Sequence, residues 1–188
     1  MKSNAERKRI ADKILYDMGL WERLSKIGAP HIIGSYKMDM MAWNDLDIDI
    51  ENQDMSIEKL YELTYYIFQT FHPLWYEAKE EINEDGKTVW FHGFHTIIDE
   101  EIWNLDLWFF DLETINKAEA YCKNIMKMVK QTPEIQEHII RIKQELQKRG
   151  LYGFEQYSSM DVYRAVLEQG IADTDELLRR YIRMENKL

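Results

Sequence analysis

The stretch Gly34-Ser35-Tyr36-Lys37-Met38-Asp39-Met40-Met41-Ala42-Trp43-Asn44-Asp45-Leu46-Asp47-Ile48-Asp49-Ile50 decides how the chain is read. From Asp45 onward acidic and apolar residues alternate strictly, which is the period of a strand with one buried face. Leu46, Ile48 and Ile50 then face a core, and Asp45, Asp47 and Asp49 share the opposite face. Same-face neighbours on a strand lie about 6.5–7 Å apart. Two of these carboxylates can therefore reach over the strand end toward one cation or a close pair of cations. Nothing basic lies within the run, so the aligned charges repel, and a divalent metal would relieve that repulsion. The apolar run His31-Ile32-Ile33 leads into the Gly34-Ser35 turn.

A second acidic position stands out in Ile102-Trp103-Asn104-Leu105-Asp106-Leu107-Trp108-Phe109-Phe110. A charge set among such large apolar residues costs stability unless it is paired or coordinated. Three aspartates in line would, by themselves, equally suit the solvent face of an edge strand, where charge discourages aggregation. The Gly-Ser turn and Asp106 together shift the reading to a metal site.

A Gly-Ser turn, an Asp-hydrophobic-Asp strand and a third carboxylate from a later strand resemble the signature of the nucleotidyltransferase superfamily, the fold of polymerase β-like enzymes and aminoglycoside nucleotidyltransferases. The resemblance implies that Gly34 and Ser35 hold a nucleoside triphosphate and that paired aspartates hold Mg²⁺. Lys37 is then either a phosphate contact or a solvated loop lysine. The metal pair is Asp45 with Asp47, nearest the turn, or Asp47 with Asp49. Asp106 would ligate a second metal or take the acceptor's hydroxyl proton. The chain departs from the fullest form of the motif, with no Gly or Arg between Met38 and Trp43. That apolar stretch reads as a buried loop or as a hydrophobic wall for a substrate. A later run, Tyr157-Ser158-Ser159-Met160-Asp161-Val162-Tyr163-Arg164-Ala165-Val166-Leu167-Glu168-Gln169-Gly170-Ile171, looks like the C-terminal helix of small bacterial nucleotidyltransferase-domain proteins.

The expected architecture is α+β: a mixed-sheet nucleotidyltransferase core over 1–112, with helices on one side, and a helical subdomain over 113–188. The expected activity is metal-dependent transfer of a nucleoside monophosphate from a triphosphate to a hydroxyl. A small-molecule acceptor is the first reading, aminoglycoside- or lincosamide-like compounds being drawn by an acidic surface, and a protein side chain is the second. The reading from a different class is a non-catalytic binding or partner protein that keeps the fold.

Composition bounds these readings. The 188 residues suit one domain or a domain with an appendage, and 45% apolar with 31% charged content is ordinary for a globular chain. A net charge of −10 argues against nucleic acid as a partner, since that binding draws on Lys and Arg. The basic residues Lys123, Lys127, Lys130, Arg141 and Lys143 form the one candidate patch against this. The single cysteine, Cys122, makes no internal disulfide and points to a reducing cytoplasm. No signal peptide or membrane span is read in the sequence.

Along the chain, Ile10, Ile14, Leu15, Met18, Trp21, Leu24 and Ile27 predict a helix over 4–27 with a weak point at Gly19. Asn52-Gln53-Asp54 is a polar break, and Ser56 or Asp54 caps a helix over 57–71 that His72-Pro73 stops. Residues 74–82 and 87–94 flank Asn83-Glu84-Asp85-Gly86 as a hairpin, and Asp99-Glu100-Glu101 connects to the Asp106 strand. Four helices follow. The second begins at Thr132-Pro133 and the last is capped by Asp173 or Thr174, with Leu177, Leu178 and Tyr181 on its face. His31, His92 and His95 read as structural, as do Tyr163 and Cys122, with Arg164 on the surface. Trp43, Trp75, Trp90, Trp103 and Trp108 read as core, as an acceptor wall or as a dimer face.

Overall fold

The computed structural model describes residues 2–51, 55–83, 85–132, 134–153 and 156–185. The polar break at Asn52-Gln53-Asp54, Asp54 as a cap, Glu84 of the hairpin turn, Pro133 and the Tyr181 side chain lie outside what is described. Two compact units divide between Cys122 and Lys123.

The first unit is built on a five-stranded mixed sheet. Its strands are β1 (Ala29–Ile32), β2 (Asp45–Glu51), β3 (Trp75–Ile82), β4 (Thr88–Ile98) and β5 (Glu101–Phe110), in the spatial order β1-β2-β5-β4-β3. β2 and β5 run parallel, and the other neighbours are antiparallel. The alternation read in β2 sets the sides of the sheet: Leu46, Ile48 and Ile50 are fully buried. Trp103, Leu105, Leu107 and Phe109 of β5 join them in the core.

The helices α1 (Asn4–Asp12), α2 (Leu20–Ser25) and α4 (Ile57–Phe71) contribute apolar residues to that core. α1 starts in a capping box in which Ser3 and Glu6 satisfy each other's backbone N–H groups. α4 starts at Ser56, whose hydroxyl accepts from the Lys59 N–H, and ends at His72 with φ 45° ahead of Pro73. The helix expected over 4–27 is not continuous. α1 passes into a π-helical turn at Lys13–Asp17, and Gly19 at φ 79° then redirects the chain into α2. The left-handed conformation is cheap only for glycine, so the weak point is where the helix breaks.

The β3–β4 hairpin forms as read, with Gly86 at φ 74° in its turn. The connection before β5 is tighter than the sequence suggested. β4 runs on to Ile98, and Asp99 and Glu100 alone make the turn, at φ 49° and 66°. Two successive left-handed residues match the right-handed twist of a hairpin; Asp99 is held there by an ion pair to Lys13 at 2.6 Å.

The helices are not confined to one side. His31 pairs with Asp49 across β1 and β2, and its Nδ1 lies 3.0 Å from Glu119 Oε1 on α5 (Leu112–Gln131). The aspartate face is therefore covered at its β1 edge.

The second unit comprises the rest of α5 with α6 (Glu134–Lys148), α7 (Ser159–Gln169) and α8 (Thr174–Glu185). Ile139, Ile142, Leu146, Val162, Val166 and Leu177 are buried in it. A Ser158/Asp161 capping box opens α7, and the Asp173 carboxylate accepts from the Glu176 N–H at the start of α8. Lys143 does not belong to a surface patch: it is buried, its Nζ 6.0 Å from the ring centre of Tyr152 and 5.5 Å from that of Tyr163. Tyr163 is a core residue, and Arg164 is exposed.

Candidate metal and nucleotide site

Parallel pairing of β2 with β5 sets Asp45 beside Asn104, Asp47 beside Asp106 and Asp49 beside Trp108. Partners in register project to the same face, so Asp45, Asp47 and Asp106 converge. One carboxylate oxygen from each lies within 4.8 Å of the others, and all three residues are partly exposed. Asn104, which the sequence reading passed over, donates from Nδ2 to Asp45 Oδ1 at 2.7 Å. Its place two residues ahead of Asp106, on the polar side of β5, was the available signal.

Asp49 lies deeper than its neighbours. It is 1% exposed, and its Oδ1 has no hydrogen-bond partner. Burial pushes its carboxyl up to about 7; nearby His31 opposes that rise and Glu119 adds to it. The strand thus separates the aspartates, placing Asp45 and Asp47 with Asp106 and burying Asp49 away from them. Burial, reinforced by the negative charge of Asp45, likewise pushes the Asp106 carboxyl up to about 6, against the Asn104 hydrogen bond and His95. Carboxylates crowded into such a place favour either a proton or a bound cation.

The Gly34-Ser35 turn is the start of a single helical turn, α3 (Gly34–Lys37). Gly34 has φ 66°, and a Cβ built on it would lie 2.0 Å from Asp47 Oδ2. The Asp47 carboxylate therefore rests against the Gly34 backbone, in space that only glycine leaves free. Ser35 is buried and Lys37 is exposed at the end of the turn.

The apolar stretch beyond it is a buried loop: Met38, Met40, Met41 and Ala42 are each at most 4% exposed. α1 clamps this loop. Asn4 donates to Asp39 and accepts from the Met41 N–H at 2.9 Å, while the buried Arg7 reaches the Met41 carbonyl at 3.4 Å. Cys122 of α5 is also buried. Burial raises its thiol pKa, while the Gly34 backbone and Lys37 act to lower it. His92 lies in the core on the other face of the sheet, bonded through Nδ1 to the Tyr76 hydroxyl at 2.7 Å, and burial lowers its pKa to about 4.

No protein-family model and no curated protein matches the sequence. Solved structures do match the fold. One is the Cid1 poly(U) polymerase with Mg and 3′-dATP bound, at 14% identity and TM-score 0.59, covering 88% of this chain and 49% of that one. A cytoplasmic RNA terminal U-transferase matches at 14% identity and TM-score 0.56, over 86% of this chain and 47% of that one. The poly(A) polymerase GLD-2 in complex with GLD-3 matches at 14% identity and TM-score 0.56, over 86% and 52%. The chain spans about half the length of these proteins, and what it shares with them is the fold.

Two outcomes follow from this geometry. Gly34→Ala should cost about 2 kcal/mol or more in urea unfolding, because it strains φ and displaces Asp47. Gly150→Ala, at φ 67° but with open space around it, should cost only about 1 kcal/mol. In chelator, Asp106 and Asp49 should make stability fall as pH rises, opposed in part by buried His92, which the folded state keeps neutral down to about pH 4. The unfolded chain releases its Asp protons near pH ~4, whereas folded Asp106 and Asp49 keep theirs to about 6 and 7. Across that window the folded state binds more protons, so raising pH favours unfolding. Asp49→Asn should remove much of the slope in a series of melts from pH 4 to 8.

Proposed function

We propose that the protein transfers a nucleoside monophosphate from a nucleoside triphosphate to a hydroxyl group. The observation that carries this reading is the convergence of three carboxylates from two non-adjacent strands beside the Gly34-Ser35 turn. Their oxygens suit Mg²⁺, which takes a few carboxylates together with substrate phosphates. Two such ions would supply charge stabilisation to both the entering and the leaving oxygen.

The chain's own groups divide the remaining work. Gly34 leaves room for the Asp47 carboxylate against the turn, the Ser35 hydroxyl would bond a phosphate oxygen, and Lys37 adds positive charge at the rim. Asp45 and Asp47 would hold a divalent ion, with the Asn104 amide fixing Asp45. Asp106, as the carboxylate, would ligate a second ion or accept the acceptor's hydroxyl proton. The freed oxygen bonds to the α-phosphorus as the bond to pyrophosphate breaks, and pyrophosphate leaves.

Charge favours a small acceptor. Residues 1–122 hold 24 Asp and Glu against 12 Lys and Arg, a net of −12, while residues 123–188 hold 10 against 12, a net of +2. A sheet unit this acidic repels a polyphosphate chain and attracts neutral or cationic molecules. The fold likeness supports a second reading, addition to the 3′-hydroxyl of RNA, since the matching structures are by name a poly(U) polymerase, an RNA terminal U-transferase and a poly(A) polymerase. Among the described residues no helix is long and apolar enough to cross a membrane, and the buried lone Cys122 fits the reducing cytoplasm expected from the sequence.

Melting with Mg²⁺ and each of ATP, GTP, CTP and UTP tests the reading. Saturation to 100 times Kd adds about 2.7 kcal/mol to stability, so at least one nucleotide should raise Tm clearly. Asp47→Asn and Asp106→Asn should each reduce transfer of α-labelled nucleotide by about 10³-fold or more while leaving the fold intact. If no nucleotide shifts Tm, the chain is a non-catalytic binding protein that keeps the fold.

A further inference from the structure

The face of the sheet that carries the triad does not end at it. On β5 the even-numbered residues Ile102, Asn104 and Asp106 share this face, opposite Ile97, His95 and Gly93 of β4, with Trp75 beside His95 and Glu77 beside Gly93 on β3. Ile97 and Ile102 are direct cross-strand partners and are 55% and 60% exposed; Trp75 is 42% exposed. Trp75 packs on His95 with ring centres 4.8 Å apart.

The gap at Gly93 brings this surface to the carboxylates. A Cβ there would lie 2.5 Å from the Phe91 ring and 3.2 Å from the Trp75 ring, so both rings close over the glycine. Gly93 is the register partner of Asp106, one strand spacing of about 5 Å away. From Asp106 the apolar surface extends two rungs to Ile102, roughly 13 Å, which is a length for a small molecule rather than a polymer.

We propose, building on the transferase reading, that Trp75, His95, Ile97 and Ile102 form the acceptor subsite. It takes a small hydroxyl compound that has an apolar face and carries no negative charge. Two isoleucines and a tryptophan kept in water beside a carboxylate cluster lose the stabilisation that burying them would give; a ligand's apolar face restores it. Charge selects the occupant. The rungs from Ile102 to Asp106 contain no Lys or Arg, Asp45 and Glu77 edge the shelf, and Lys79 on the next rung is already engaged by Glu81 at 2.6 Å and Glu77 at 3.5 Å. Phosphates of a nucleic acid would meet the carboxylates of Asp45, Asp106 and Glu77 here, and a strongly polar sugar would leave the isoleucines uncovered.

Isoleucine-methyl NMR of the full chain with Mg²⁺ and a non-hydrolysable triphosphate tests this directly. The probes are 3-phenylpropan-1-ol, its ammonium-bearing and carboxylate-bearing analogues, and a uridylate hexamer. The neutral and ammonium alcohols should shift the Ile97 and Ile102 methyls, while the carboxylate analogue and the hexamer leave them unmoved. Ile97→Asp and Trp75→Ala should each weaken the neutral alcohol tenfold or more without changing the affinity for Mg²⁺ and triphosphate. The proposal is overturned if those methyls stay silent to every alcohol, if the hexamer moves them most, or if dilution alone moves them, which would mark a contact between copies of the chain. Failure of Mg²⁺ and triphosphate to bind the unaltered protein removes the transferase reading instead; binding with silent methyls removes the shelf alone.

Discussion

Like charges meet across the pairing of β2 with β5, and the site is arranged around that repulsion. Asp47 and Asp106 are register partners, with Asp45 one rung away and within oxygen-to-oxygen reach of both. The backbone hydrogen bonds of a parallel pair and the packing of Leu46, Ile48, Leu105 and Leu107 beneath hold the carboxylates together. In water they would separate. On the protein's side the repulsion is eased by the Asn104 amide on Asp45, and burial raises the Asp106 carboxyl to about 6. A divalent cation would complete the cluster, as the proposed function requires.

The surroundings serve that junction. Gly34 lets the chain turn against Asp47, and the methionine-rich loop after it is buried and tied to α1 through Asn4 and Arg7. The position of the turn therefore depends on a helix more than thirty residues away from the loop's end in sequence. Buried apolar residues anchor the turn beside the aspartate face of the sheet, on which Trp75, Ile97 and Ile102 are exposed.

Much of this was legible in the sequence because it depends on local periodicity. The alternation of β2, the bounds of α4 between Ser56 and His72, and the Asp-Gly hairpin all carry strong short-range signals. Less visible were features that depend on tertiary contacts. The Asp99-Glu100 turn has no glycine and is held by Lys13 from another element. The three β2 aspartates look equivalent in sequence, yet α5 arriving at the β1 edge buries Asp49 and leaves Asp45 and Asp47 open. Lys143 reads as one of a run of surface cations and is instead enclosed by Tyr152 and Tyr163. The convergence of Asp106 on Asp47 is set by which strands become neighbours, something no window along the chain contains.

The most direct measurement of the central claim is a Mn²⁺ titration followed by electron paramagnetic resonance, in which bound ion loses the sharp signal of free ion. Unaltered protein should take up Mn²⁺ saturably at a defined stoichiometry, and Asp106→Asn should lose that uptake while Asp49→Asn retains it. Uptake that survives Asp106→Asn unchanged, or that is lost with Asp49→Asn alone, would contradict the account.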